Sequence, residues 1–176
     1  LVLPTWFLLK IFLISQALGK ADYRELVNIV LRNILLAILF SFLIIIFKPL
    51  LLDILNQIFE SSIETKNLMD EYISIRVFSA PAELITYVLI GFYLGIQKTF
   101  ISSLLIIISS LLNIFLSIYF VRELNLDVSG VALGTLIAMY ITIIIFSIYT
   151  YYFIIKKFKV IPRFNSKSIL NHKKVF

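Results

Sequence analysis

Cysteine is absent from the 176-residue sequence, and charged side chains are scarce. The lack of cysteine excludes disulfide bonds and thiolate metal sites. Charged residues make up 15% of the chain, against about 25% in ordinary globular domains. That is too little polar sequence to cover a soluble core. The only histidine, His172, lies in a polar segment and is more typical of a solvated side chain than of a metal ligand.

Long apolar runs are the main feature of the sequence, which is 61% hydrophobic. Such runs predict transmembrane helices. We therefore predict an all-α integral membrane protein with four full transmembrane helices and one partial helix. The predicted helices cover residues 1–17, 26–48, 73–96, 99–121 and 129–155. Because the chain opens at Leu1 in apolar sequence without a clean signal-peptide cleavage site, we expect the first helix to be incomplete and the chain to belong to a longer protein.

The distribution of lysine and arginine predicts the orientation in the membrane. Basic residues cluster after Ile155, so the positive-inside rule places this tail in the cytoplasm. Because successive links between transmembrane helices lie on alternating sides of the membrane, counting helices backward from this tail makes the acidic segment 53–71 an outer loop. Residues 161–176 are expected to form a basic cytoplasmic tail or a loop between two lobes. The formal net charge of +6 is explained by this topology. We therefore expect the partner to be the lipid bilayer, in an inner cell membrane, and not nucleic acid.

Glu83 is the most unusual residue within the predicted spans. It lies about ten residues into the apolar stretch 73–96, or about 15 Å from the outer boundary at 1.5 Å per residue. Desolvation there disfavours the charged carboxylate, so Glu83 is a candidate to carry a proton or bind a cation. The alternative is a neutral group bonded to a nearby hydroxyl. Pro81 removes a backbone hydrogen bond nearby and is expected to bend the helix.

Three uncharged polar residues form a second candidate site. Asn113 and Ser117 are four residues apart and share one helical face. Thr135 lies at a similar depth on the next, antiparallel helix, so a polar cluster in the outer half of the bundle is predicted. Such a cluster either binds a cation or substrate, or holds the helices together by hydrogen bonds. The GFYLG and GVALG segments at 91–95 and 130–134 predict close helix packing.

Enzyme motifs do not occur in the sequence. It has no Gly-rich phosphate loop, no metal-ligand cluster and no nucleophile elbow. We therefore expect no enzymatic activity and no cofactor.

Several segments in order resemble the multidrug and toxic-compound extrusion (MATE) family, in particular its DNA-damage-inducible F-type branch. The matching segments are SQALGKAD at 15–22, SAPA at 79–82, GFYLGIQ at 91–97, NIFLS at 113–117 and GVALGT at 130–135. The resemblance covers about residues 15–160. It implies that residues 1–160 are part of a six-helix lobe, with a first helix bearing an acidic residue and a second lobe both lying outside the chain.

The resemblance also implies a function. MATE proteins are antiporters that export drugs or metabolites, driven by H⁺ or Na⁺, so the expected substrate is a cationic or amphipathic small molecule. Asn113 and Thr135 match the family's proton-site pattern, but Ser117 stands where the pattern has aspartate. Glu83 stands where a small residue is usual, so we hypothesise that it replaces the lost carboxylate.

Two other functions remain open at this point. One is a lipid-linked oligosaccharide flippase of the same superfamily, although the apolar runs show no rows of Arg or Lys. The other is a membrane module that does not transport, either a structural subunit or a degenerate gene product. A four-helix piece alone cannot perform alternating access, which requires two halves moving about a central site.

Overall fold

The computed structural model describes residues 5–58 and 62–162, and these residues form a helical bundle. In chain order the helices are α1 (Thr5–Gly19), α2 (Tyr23–Ile46), α3 (Lys48–Ile58), α4 (Ile63–Arg76), α5 (Ala80–Gly95), α6 (Thr99–Arg122) and α7 (Asp127–Phe158). A short 3-10 turn, Val77–Ser79, joins α4 to α5. The described residues contain no strand, and the predicted all-α fold class is confirmed.

Four helical segments are long and apolar enough to cross a membrane. They are Tyr23–Ile46, Ile63–Gly95, Thr99–Arg122 and Asp127–Phe158. The 15 residues of α1 span only about 22 Å at 1.5 Å per residue, less than a hydrocarbon core of about 30 Å. The prediction of four full helices and one partial helix is therefore confirmed.

The acidic segment predicted as an outer loop is mostly helical in the structure. It contributes to α3 and α4, and α4 continues through the 3-10 turn into α5. Glutamate and lysine are good helix formers, so a charged segment need not be a loop. The Ser62 hydroxyl also accepts a hydrogen bond from the Thr65 backbone amide and caps α4. The resulting 33-residue segment is about 50 Å long and extends beyond the hydrocarbon core.

Two ends of the bundle can be defined by charge. The basic end holds the α1–α2 link, the α5–α6 turn and the last turn of α7, with Lys20, Lys98 and Lys157. The acidic end holds α4 and the α6–α7 link. Of the predicted tail 161–176, residues 163–176 lie outside the described part of the chain.

Aromatic side chains hold the helices together near the basic end. Tyr23 at the start of α2 stacks on Phe158 at the end of α7, with ring centroids 4.9 Å apart. The fully buried Phe92 and Tyr93 of α5 pack edge-on against Phe153 of α7. These contacts join helices that are distant in sequence, so α2, α5 and α7 form one core.

The most extensive helix contact is between α6 and α7, and glycine makes it close. A Cβ atom at Gly134 would lie 2.6 Å from the backbone nitrogen of Ser117, which is too short for a real contact. A Cβ at Gly130 would meet the backbone of Phe120 at 3.2 Å. The GVALG segment therefore acts as a packing motif, as its small-residue spacing predicts.

The variant Gly134→Ala is expected to destabilise the protein by about 1–3 kcal/mol, the usual cost of overpacking. The reason is that the new methyl group meets backbone, which cannot move aside as a flexible side chain would. The measurement is the thermal unfolding midpoint of the full-length protein in detergent. Gly19→Ala is the matched control, because a Cβ there has no neighbouring heavy atom within 4 Å. Equal midpoints for the two variants would contradict the close α6–α7 contact.

Candidate functional site

Asn113 and Thr135 meet across the α6–α7 interface. The Asn113 side-chain amide donates a hydrogen bond of 2.7 Å to the Thr135 hydroxyl. The hydroxyl in turn donates to the backbone carbonyl of Val131 at 2.9 Å. Thr135 is buried and Asn113 partly buried. A hydrogen bond thus joins two of the four predicted site residues, and the Asn113 carbonyl oxygen is left to accept from or bind another group.

Ser117 lies one turn further along α6 and faces Gly134. Its hydroxyl oxygen is buried and has no hydrogen-bond partner within the described residues. A buried hydroxyl without a partner is costly, since hydrocarbon offers no substitute for water. Three polar side chains, one of them unpaired, therefore lie within about one helical turn of each other. We call Asn113, Ser117 and Thr135 the α6–α7 polar cluster.

Glu83 has a different set of partners. Its carboxylate accepts a hydrogen bond of 3.1 Å from the guanidinium of Arg76, which forms an ion pair across the 3-10 turn. The Tyr87 hydroxyl donates to the other carboxylate oxygen at 3.5 Å. Arg76 also donates to the Ser79 hydroxyl. Glu83 is therefore a paired carboxylate held by its own helical segment, rather than the isolated acid suggested by its position in the sequence.

The register between helices gives Glu83 and Thr135 different depths. The Tyr140 hydroxyl of α7 donates to the backbone carbonyl of Phe78 at 3.0 Å, and the Tyr93 hydroxyl of α5 pairs with the Thr150 hydroxyl of α7 at 2.7 Å. Both segments run from the acidic end toward the basic end. Glu83 precedes Tyr93 by ten residues and Thr135 precedes Thr150 by fifteen, so Glu83 and Thr135 are about 8 Å apart along the bundle. The contacts do not place Glu83 beside Ser117.

Arg76 and Tyr140 are the residues that sequence reasoning missed. Arg76 lies seven residues before Glu83, a spacing that places the two on one face of a helix. The spacing and the opposite charges could therefore have predicted this ion pair from the sequence. Tyr140 offered no such signal, because its partner is a backbone carbonyl, that of Phe78 in the 3-10 turn.

A double-mutant cycle at Asn113 and Thr135 measures the strength of their hydrogen bond. We expect Thr135→Val to reduce stability by about 0.6 kcal/mol through this bond, the average for such bonds in membrane proteins. Thr135→Ser is the matched control, because it retains the hydroxyl. The coupling is read from unfolding midpoints of the two single variants and the double variant with Asn113→Ala. A coupling indistinguishable from zero would contradict the bond.

A second cycle tests the ion pair. Glu83→Gln leaves the Arg76 guanidinium without a carboxylate, so a loss of about 1–3 kcal/mol is expected. The double variant Arg76→Gln with Glu83→Gln is expected to lose less, because no charge is then left unpaired. Glu71→Gln, at an exposed position of the same helical segment, is the control. Losses that simply add in the double variant would show that the two charges do not interact.

The comparisons with known proteins agree on one family. The sequence model described as MatE matches residues 11–119, more than half of the chain. The chain is 32% identical over 133 residues to DNA damage-inducible protein F of Escherichia coli strain K12. The aligned region covers 76% of this chain and 29% of that protein. It is also 32% identical over 136 residues to multidrug export protein MepA of Staphylococcus haemolyticus, covering 77% of this chain and 30% of MepA.

A solved structure gives an independent comparison of the fold. It is the inward-facing conformation of a multidrug resistance MATE family transporter of the MOP superfamily, and it superposes on this chain with a TM-score of 0.77 at 21% identity. The match covers 92% of this chain and 37% of that one. This chain therefore spans about a third of the length of the proteins that it matches. The resemblance inferred from the motifs is confirmed, and the chain is a multi-pass membrane protein that belongs to the MatE family.

Proposed function

We propose that this chain forms part of a cation-coupled antiporter that exports drugs or metabolites across the membrane. The observation that carries the proposal is the agreement between family and fold: residues 11–119 match MatE, and the bundle superposes on a multidrug resistance transporter. A relative of similar identity is named a multidrug export protein. The remaining helices, including a second lobe, would come from the rest of a longer protein, because alternating access requires two halves.

The α6–α7 polar cluster is the proposed cation site. Its free ligands are the Asn113 carbonyl oxygen and the Ser117 hydroxyl, beside the Thr135 hydroxyl. Neutral oxygen atoms of this kind suit a hard cation such as Na⁺. None of the three side chains titrates near neutral pH, so the cluster alone cannot carry a proton. Proton coupling would require a carboxylate, and Glu83 is the described candidate within the apolar part of the spans.

The distribution of charge supports an orientation for the proposed transporter. Lys156, Lys157 and Lys159 are exposed at the basic end, while Glu64, Asp70 and Glu71 lie in α4 at the acidic end. By the positive-inside rule, this distribution supports a cytoplasmic basic end. In a bacterial inner membrane, export would then proceed from the basic end toward the acidic end.

The test is transport by the complete reading frame that contains this chain, reconstituted in proteoliposomes. Uptake of a fluorescent organic cation is measured under an imposed Na⁺ gradient and, separately, under an imposed pH gradient. If the polar cluster binds Na⁺, Ser117→Ala reduces Na⁺-driven transport while Ser110→Ala, on an exposed face of the same helix, does not. If Glu83 carries the proton, Glu83→Gln abolishes pH-driven transport.

Each possible result tests a different part of the proposal. No transport by the wild-type protein under either gradient would overturn the export function and favour a module that does not transport. Unchanged pH-driven transport in Glu83→Gln would exclude Glu83 as the coupling group. Unchanged Na⁺-driven transport in both Ser117→Ala and Asn113→Ala would exclude the cluster.

A further inference from the structure

The α4–α5 segment departs from α-helical geometry near its middle. Between Val77 and Ser79 it forms a single 3-10 turn, and such a turn within a long helix often marks a hinge. The Ala80 amide donates to the Val77 carbonyl, whereas an α-helix would direct it to the carbonyl of Arg76. Pro81 then has no amide hydrogen with which to continue the ladder. The backbone is therefore bonded less regularly here than in the helices on either side.

The two halves of this segment are held differently by the rest of the bundle. The anchored half is α5, which has buried side chains along its length, among them Ala82, Leu89 and Phe92. It packs against α1, α2, α6 and α7. By contrast, α4 has no buried residue and packs mainly against α7. Because few buried apolar contacts give a region a low free energy of local opening, α4 is the half that can move within this lobe.

The neighbouring helix α3 belongs with α4 rather than with the core. It also has no buried residue, and its Asn56 amide donates a hydrogen bond of 3.2 Å to the Asp70 carboxylate of α4. Its junction with α2 is at Phe47, and Pro49 follows in the first turn of α3. We call α3 and α4 together the α3–α4 arm. The arm therefore joins the core at two junctions, and a proline lies within two residues of each.

Side-chain bonds hold the 3-10 turn in one geometry. The buried Ser79 hydroxyl donates to the Arg76 carbonyl at 2.7 Å, which is the carbonyl that the Ala80 amide does not reach. The ion pair between Arg76 and Glu83 joins the last residue of α4 to α5 across the turn. The Tyr140 hydroxyl of α7 donates to the carbonyl of Phe78 at 3.0 Å. The first two bonds lie within the segment, and the Tyr140 bond ties the turn to a different helix.

We propose that the 3-10 turn Val77–Ser79 is a hinge on which the α3–α4 arm rotates while α5 stays in the core, and that the Tyr140 hydroxyl is the latch that holds the arm in its present position. Asn67 of α4 lies 11 residues before Phe78, or about 16 Å at 1.5 Å per residue. A change of about 20° in the bend, the size of a proline kink, therefore moves Asn67 by about 5 Å. The inference rests on contacts within this chain and does not require that the protein export anything.

The test measures this displacement by double electron–electron resonance in the full-length protein. Because this chain has no cysteine, spin labels are attached at Asn67→Cys on α4 and Ile114→Cys on α6, which are both exposed positions, with any cysteine outside this segment replaced. The variant Tyr140→Phe removes the latch hydroxyl, so the distribution of label-to-label distances is expected to broaden by about 5 Å. Tyr151→Phe is the matched control, because Tyr151 is exposed on the same helix and its hydroxyl makes no hydrogen bond within the described residues.

A second substitution locates the motion. Pro81→Ala supplies the missing amide hydrogen and favours a continuous α-helix, so adding it to Tyr140→Phe is expected to restore the narrow distribution. Equal distributions in Tyr140→Phe and Tyr151→Phe would overturn the proposal, and so would a distribution that stays broad in the double variant. If Tyr140→Phe does not accumulate, Ser79→Ala, which removes the hydroxyl bonded to the Arg76 carbonyl, is measured by the same criteria. Because distances are read without substrate or gradient, failure here is distinguishable from failure of the proposed export function.

Discussion

Inside a bilayer a polar group that leaves water must find a partner in the protein, because hydrocarbon offers none. In this bundle α7 supplies that partner at three levels. Thr135 accepts from Asn113 of α6, Tyr140 donates to the Phe78 carbonyl where the helix departs from α geometry, and the Thr150 hydroxyl pairs with that of Tyr93 at 2.7 Å. These bonds set the register of α7 against both α5 and α6, so the position of every candidate site residue depends on them.

Close packing and polar bonding depend on each other at the α6–α7 interface. Gly134 lets the backbone of α7 approach Ser117, and this approach brings Thr135 within hydrogen-bonding distance of Asn113. The same approach leaves the Ser117 hydroxyl buried without a partner in the described structure. With serine where the MATE pattern has aspartate, the cluster carries no charge. Glu83 is paired instead with Arg76 on its own helical segment.

The sequence was informative about the polar cluster but not about Glu83. Asn113 and Ser117 are one turn apart on a helix, and the antiparallel return of α7 places Thr135 at a similar depth, so helical geometry alone predicts that they are neighbours. The depth of Glu83 was estimated from a helix starting at residue 73, whereas the segment starts at Ile63 and contains the 3-10 turn. Depth alone also does not determine which way a side chain points.

Composition and spacing determined that this chain crosses the membrane four times, because an apolar run of about 20 residues has no soluble alternative of comparable stability. The ordered motifs along the chain resemble the MATE family, and the family-model match over residues 11–119 confirms that resemblance. The tertiary structure alone decided the polar partners that give no signal in the sequence, such as Tyr140 with the Phe78 carbonyl and Tyr93 with Thr150. Hydropathy is a property of single residues, whereas pairing depends on helix rotation and register. Those are set by distant contacts such as Tyr140 with Phe78 and Gly134 with Ser117.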